Sequence, residues 1–338
     1  MNTKGITIAG NILTDKIKLI DAYPSQGMLC NISKVEMGVG GAVPNTIIDL
    51  AVLDPTVPLK AVGLVGDDAE GRFAVGMMKD KGVDVSGVKV IKDQPTSFSD
   101  VMTVTSTGAR TFFHARGANS VFGPEHIDFD RLDCDLFHIG YLLLLDQFDR
   151  EDPEYGTVMA RTLHEVQKRG IKTSIDVVSE ASDRFKKLVI PALKYCDYVV
   201  INEIESGNAV GVDPRTPDGR ISLEALKEIC RRFMELGVKE VTCIHSREVG
   251  VYYDKAGNFT WSPAVNLPKG YIKGAVGAGD AFCAGMLYSF YKGFSAKQAL
   301  DVASCTAGCN LSAPDSVSGM KPLAEALELL KIYGSETL

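Results

Sequence analysis

Nowhere in this 338-residue chain does GxxxxGK followed by Ser or Thr occur, and the first strand turn, "GNILTD", lacks GxGxxG. The chain therefore lacks the sequence signatures of a P-loop and of a dinucleotide-binding first turn. The eight cysteines, at 30, 134, 196, 230, 243, 283, 305 and 309, make no CxxC pair and have no histidine partner at zinc-finger spacing. They read as buried free thiols, although Cys305 and Cys309 can share a helix face. Basic charge is in deficit: 36 Lys and Arg against 43 Asp and Glu give a net charge of −7, with a pI near 5.4. That offers no broad attraction to nucleic acid or to an anionic membrane, and favours a small-molecule partner. The longest apolar run, "YLLLL" at 141 to 145, is closed by Asp146 and falls far short of the roughly 20 residues that span a bilayer. It reads as a buried strand end. The opening "MNTKGITIAG" passes straight into a β-branched run without the apolar stretch and cleavage site of a secretory signal. A cytoplasmic location is expected.

Against these absences stands a hydrophobic content of 45 %, enough to fill a sizeable core. The first 120 or so residues are rich in strand signals: "ITIAG", "NISKVEM", "LKAVGLVG" and the long alternating run from Ser97 to Phe113, with one helical candidate at 43 to 53. Beyond Leu132, β-like runs such as "DLFHIG", "IKTSID", "YCDYVVIN" and "VKEVTCI" alternate with amphipathic segments near 152 to 169, 183 to 194 and 222 to 236. Such alternation predicts βαβ units around a parallel sheet. With no clear linker, the whole of 1–338 is expected to form one α/β domain, from which strands within about 15–37 and 88–116 emerge as a small sheet. Ligands of open parallel sheets bind outside the carboxyl ends of the strands, where the candidate loops fall.

The most informative loop is Gly277-Ala278-Gly279-Asp280, ahead of a run that carries no charge until Lys292. Glycines admit backbone N–H groups close to a ligand, and the helix start adds partial positive charge, a combination suited to a phosphate oxygen. The same dipole is expected to keep the Asp280 carboxylate ionised near neutral pH, able to accept a proton late in the attack of an alcohol on phosphorus. A plain helix cap at Asp280 remains the alternative. "YVVINEIESG" sets Asn202 and Glu205 three residues apart after a strand, where they can order magnesium waters around phosphates, or where Asn202 can simply cap the helix. In "MGVGGAVPN", Gly40 and Gly41 open space and Asn45 can exchange hydrogen bonds with hydroxyls. A strand-to-helix turn would look the same. Asp15 can bind two hydroxyls or close a turn. In "RTFFHARGANS", Arg110 and Arg116 suit a solvated strand face, and Asn119 is either a cap or a ligand contact. His138 reads as a satisfied core histidine; His114 and His245 carry no assignment.

Taken in order, Asp15, "GGAVPN" at 40 to 45, "VGDDAEG" at 65 to 71, "NEIE" at 202 to 205 and "GAGDAFCAG" at 277 to 285 resemble the ribokinase-like (PfkB) family of carbohydrate kinases, from the first strand to about residue 320. The resemblance implies a three-layer α/β fold, with a central mostly parallel sheet flanked by helices and a small β-sheet lid that often pairs in a homodimer. It also implies ATP-dependent phosphorylation of a hydroxymethyl group with Mg2+. Carried over by position, Asp280 corresponds to the catalytic base and Gly277, Ala278 and Gly279 to the anion hole. Asn202 and Glu205 correspond to organisers of magnesium and phosphate, and Asp15, Gly40, Gly41, Asn45 and Asn119 to sugar contacts. Members often read DTxGAGD, whereas Gly274 stands here at the Asp position, two residues ahead of Val276 before GAGD, which leaves a monovalent cation open. "CIHSREVG" at 243 to 250 has His245 and Arg247 where a glycine-containing strand end is usual, and the segment after Ala303 departs from an alanine-rich adenine wall. A sugar kinase of ribokinase or fructokinase type is the leading expectation. A nucleoside kinase, with "FFHARGAN" as base clamp, and a non-catalytic sugar sensor are the alternatives.

Overall fold

The computed structural model describes residues 4–178 and 184–337. In chain order the strands are β1 (Ile6–Gly10), β2 (Leu13–Ile20), β3 (Ile32–Gly40), β4 (Leu59–Gly66), β5 (Asp84–Ile91), β6 (Ser97–Val104), β7 (Arg110–Ala115), β8 (Leu136–Leu142), β9 (Glu151–Asp152), β10 (Gly156–Thr157), β11 (Lys172–Val177), β12 (Tyr198–Asn202), β13 (Val241–His245), β14 (Val249–Asp254) and β15 (Phe259–Pro263). The helices are α1 (Ala42–Leu53), α2 (Ala69–Lys79), α3 (Val158–Gln167), α4 (Phe185–Leu193), α5 (Glu203–Val210), α6 (Leu223–Glu235), α7 (Ala278–Lys292), α8 (Ala296–Asn310) and α9 (Leu323–Tyr333).

Nine strands form one sheet in the order β15-β14-β13-β12-β11-β8-β1-β4-β5. Its pairs from β5 to β13 are parallel, and β14 and β15 extend it as antiparallel edge strands. Side chains of successive strand residues point to opposite faces, so a central strand must be apolar on both. β1 is: Ile6 and Ile8 enter a core shared with α1, α7 and α8, whereas Ala9 enters a second core with α3, α4 and α6. Helices on both faces explain why the strands read as continuous apolar runs.

A second sheet, ordered β3-β2-β6-β7, stands apart from the first. The expected insert at 15–37 matches β2 and β3. Within 88–116, however, residues 88–91 belong to β5, which pairs with β4 in the large sheet, so only β6 and β7 join the small one. The apparent single run from Ser97 to Phe113 is two antiparallel strands, because a turn containing Thr105-Ser106-Thr107-Gly108 intervenes.

The early region also holds a second helix, α2, beyond the one expected at 43 to 53; Gly71 and Gly76 mask its periodicity. Asp68 caps it by accepting from the Gly71 amide at 2.8 Å. The segment expected as helix from 152 is first a short hairpin, β9 and β10, before α3 starts behind its cap Thr157. Of the helix expected at 183 to 194, position 183 lies outside the described residues and 185 to 193 is helical.

Candidate active site

α7 begins behind Gly277, which adopts φ 80°. A Cβ there would lie 2.7 Å from both the Cβ and the carbonyl oxygen of Ser316, so glycine is required by conformation and by space. Ala281 N–H donates to Gly277 O at 2.8 Å. The amides of Gly279 and Asp280, ahead of that bond, are first-turn donors of the kind that accept an anion. Past Asp280 the helix is buried from Ala281 to Ser289, which accounts for its uncharged sequence: it threads between the sheet, α1 and α8.

Asp280 is 8 % exposed. Its Oδ1 accepts from the Tyr141 hydroxyl at 2.7 Å and its Oδ2 from Asn45 Nδ2 at 2.9 Å. The expectation that the helix dipole keeps this acid ionised near neutral pH is corrected. Burial, reinforced by the nearby Asp176 and Asp15 carboxylates, pushes its pKa up to about 7 despite the two donors.

Asn45, expected to contact sugar hydroxyls, thus spends its amide N–H on Asp280, while its Oδ1 has no hydrogen-bond partner among the described residues. Gly41 adopts φ 90°, and a Cβ on it would meet Asn11 O at 2.5 Å; one on Gly40 would meet Asp15 Oδ2 at 2.7 Å. The double glycine therefore lets the chain pass between Asn11 and Asp15. Burial raises the pKa of Asp15 to about 6, with Arg110 opposing. Arg110, read as part of a solvated face, borders a small cleft with Asp15 and Phe112 and donates to Pro314 O at 3.1 Å.

Asn202 caps α5: its Oδ1 accepts from Glu205 N–H at 2.8 Å, and Glu205 Oε2 faces the Asn202 amide at 3.4 Å. Both residues nevertheless line one cavity of about 270 Å³ together with Gly279, Asp280 and Tyr141. Capping and a ligand-facing position coexist, because the cap orients the pair toward the strand ends. Their oxygens are the hard donors that suit Mg2+.

Asn119 does not belong to this group. It is 1 % exposed; its Oδ1 accepts from Ile12 N–H and its Nδ2 donates to Ile12 O, both at 3.2 Å. The residue expected as a sugar contact is a brace for the turn between β1 and β2, and a Gly-Ala-Asn turn looks alike in either role.

A larger cavity of about 560 Å³ also borders Gly279 and is lined by His245, Arg247, Phe282, Ser304 and Gly308. His245 lines both cavities; burial pushes its pKa down to about 4, so its imidazole is neutral at neutral pH. The segment after Ala303, although atypical in composition, thus supplies a wall of the larger cavity. At Gly274 a Cβ would lie 2.8 Å from Ala313 O and 2.9 Å from Pro314 O. Any side chain at this position would crowd that backbone.

Tyr141 was missed as a functional candidate, since "YLLLL" reads as a strand end. The only signal was an aromatic hydroxyl opening an otherwise aliphatic run, and its partner lies 139 residues away. Asn11, in the first strand turn, was missed as well: its Oδ1 accepts from the Tyr141 amide at 2.8 Å and so helps to fix that ring.

A family model described as pfkB family carbohydrate kinase matches residues 8–322. Ribokinase of Arabidopsis thaliana is 24 % identical over 329 residues, covering 96 % of this chain and 81 % of that protein. The 2-dehydro-3-deoxygluconokinase of Thermoproteus tenax is 25 % identical over 312 residues, covering 90 % and 89 %. Among solved structures, Arabidopsis thaliana ribokinase complexed with ribose and ATP superposes with a TM-score of 0.80 at 21 % identity, covering 97 % of this chain and 99 % of that one.

Proposed function

Because the chain belongs to the pfkB family of carbohydrate kinases, we propose that it transfers the γ-phosphate of ATP to a hydroxymethyl group of a small carbohydrate, with Asp280 accepting the alcohol proton. The observation that carries this reading is the location of Asp280. It is buried at the first turn of α7, on the wall of a cavity that Asn202 and Glu205 also line, while the adjoining Gly279 borders the larger cavity. The two cavities share Gly279 and His245, so a phosphate chain extending from the larger one toward Asn202 and Glu205 would pass beside Asp280.

In this mechanism Tyr141 and Asn45 orient the carboxylate, each taking one lone pair and leaving others for the alcohol. Its raised pKa suits a base that works near neutral pH. The alcohol proton becomes acidic only as the new P–O bond forms, so positioning supplies most of the rate. First-turn amides of α7 accept the charge of the transferred group. Asn202 and Glu205 would hold Mg2+ through water, and the ion would supply positive charge to the phosphates. Asp15 and the Gly40-Gly41 turn would take the sugar hydroxyls, with Arg110 selecting among substrates.

The reading extends to a homodimer through the small sheet, whose β3 is an edge strand and whose Ile32, Val35, Phe112 and Phe113 are exposed. It extends also to a cytoplasmic setting, supported by eight free cysteines. Among the described residues no helix is long and apolar enough to cross a membrane.

The test is ADP release from ATP with Mg2+ against pentoses, hexoses, keto-sugar acids and nucleosides, with Asp280→Asn as control. A carbohydrate-dependent signal abolished by the substitution is expected. A nucleoside as the sole acceptor, or a signal that survives the substitution, would overturn the reading.

A further inference from the structure

Beside Asp280 lies a group of side chains to which the proposed mechanism gives no contact with substrate, two of them on the wall of the same cavity. His138 on β8, Asp176 at the end of β11 and Cys283, one turn after Asp280 on α7, bring a ring nitrogen, a carboxylate oxygen and a thiol sulfur within 4.8 Å of one another, all three residues buried. His138 Nε2 lies 3.7 Å from Asp176 Oδ1 and 3.9 Å from Cys283 Sγ.

We propose that His138, Asp176 and Cys283 form a binding site for a thiophilic divalent cation of the zinc class. Tetrahedral bonds to zinc of ordinary length separate such ligand atoms by about 3.3–3.6 Å, so each pair needs to close by only a few tenths of an ångström to roughly one ångström. His138 Nδ1 is 3.1 Å from the Ser174 hydroxyl. With Nδ1–H donating there, Nε2 presents its lone pair to the other two ligands, the outer partner that metal-bound histidines normally have. The alternative, a histidine held by Asp176 alone, leaves the acid poorly served: 3.7 Å exceeds hydrogen-bond length, and Asp176 Oδ1, in a residue 7 % exposed, has no hydrogen-bond partner among the described residues. Buried polar atoms in that condition are rare without a missing ligand or water.

One nitrogen and one sulfur favour zinc or cobalt over the hard Mg2+, which prefers oxygen. Asp176 and Cys283 border the cavity of about 270 Å³, giving an entry path and an open fourth position on that side. As the metal–sulfur bond forms, the thiol proton passes to solvent through this cavity, and the ion ties β8, β11 and α7 together.

The full chain, stripped with chelator and titrated with Co2+, tests this without reference to turnover. One equivalent should bind and show a thiolate-to-cobalt charge-transfer band that Zn2+ abolishes. X-ray absorption of the bound zinc should show one sulfur among nitrogen and oxygen ligands. Cys283→Ser, with fold checked by circular dichroism, should lose the band, and His138→Gln should weaken binding about 10-fold or more. No ion retained after desalting, a band unchanged in Cys283→Ser, or a zinc shell with no sulfur or several would overturn the site; the absorption result stands on the unmodified protein even where a variant fails to fold.

Discussion

Asp280 carries opposing demands that can be separated experimentally. Its folded-state carboxyl titrates near 7, above an unfolded aspartate, so between those values the folded state holds a proton that the unfolded state releases. Stability of the apo protein therefore falls as pH rises through that window and stays lower above it. Asp280→Asn should raise the melting temperature at pH 8 while lowering turnover roughly 10²–10⁴-fold with little change in sugar affinity; thermal melts and steady-state kinetics check both halves. The Tyr141 hydroxyl stabilises the charged form of Asp280. Tyr141→Phe should thus move the acid limb of the kcat/KM profile to higher pH and cut turnover several-fold at pH 7, an outcome that a pH series would contradict if the limb stayed where it was. Asn119→Ala should act differently. It leaves the buried Ile12 amide and carbonyl unpaired, costing about 1–3 kcal/mol, seen in denaturant unfolding, without a selective rise in the KM for sugar.

At the scale of elements, the start of α7 is over-determined. Gly277 needs positive φ, and the Ser316 backbone leaves no room for a methyl group. Gly277→Ala should therefore cost about 1–3 kcal/mol and displace the first-turn amides, so the KM for ATP and turnover should worsen together. At Gly279 the nearest atom to an added Cβ is His245 Cε1 at 3.3 Å. That neighbour is a side chain able to give way, so Gly279→Ala should melt nearer the wild-type temperature than Gly277→Ala does. The contrast between the two melting curves distinguishes a backbone constraint from a merely crowded one.

For the whole molecule, the small sheet is the part left incomplete. Helices cover both faces of the large sheet, but β3 runs along an open edge with Val35 63 % exposed. A lysine on such an edge opposes pairing with a second chain. Sedimentation velocity should find a dimer for the native chain and a monomer for Val35→Lys; a native monomer at micromolar concentration would dispose of the dimer.

The local sequence by itself determined the α/β alternation, the parallel sheet and the glycine-bounded acid at 277–280, because each is written in short-range pattern: β-branched runs, helical periodicity, glycines before an apolar run. Periodicity failed at α2, where two glycines interrupt the face, and at the Ser97–Phe113 run, where a short turn hides between two strands of similar composition. Asn202 and Glu205 could be singled out by spacing, yet cap and ligand roles share that spacing, and only the cavity common to them and Asp280 brings the second role forward. Three things belonged to tertiary structure alone. Tyr141 reaches Asp280 across 139 positions. Asn119 turns inward to Ile12. Asp280 titrates near neutrality rather than low, because desolvation and the neighbouring carboxylates depend on what the folded chain brings around a residue, and a dipole inferred from one helix start contains none of that.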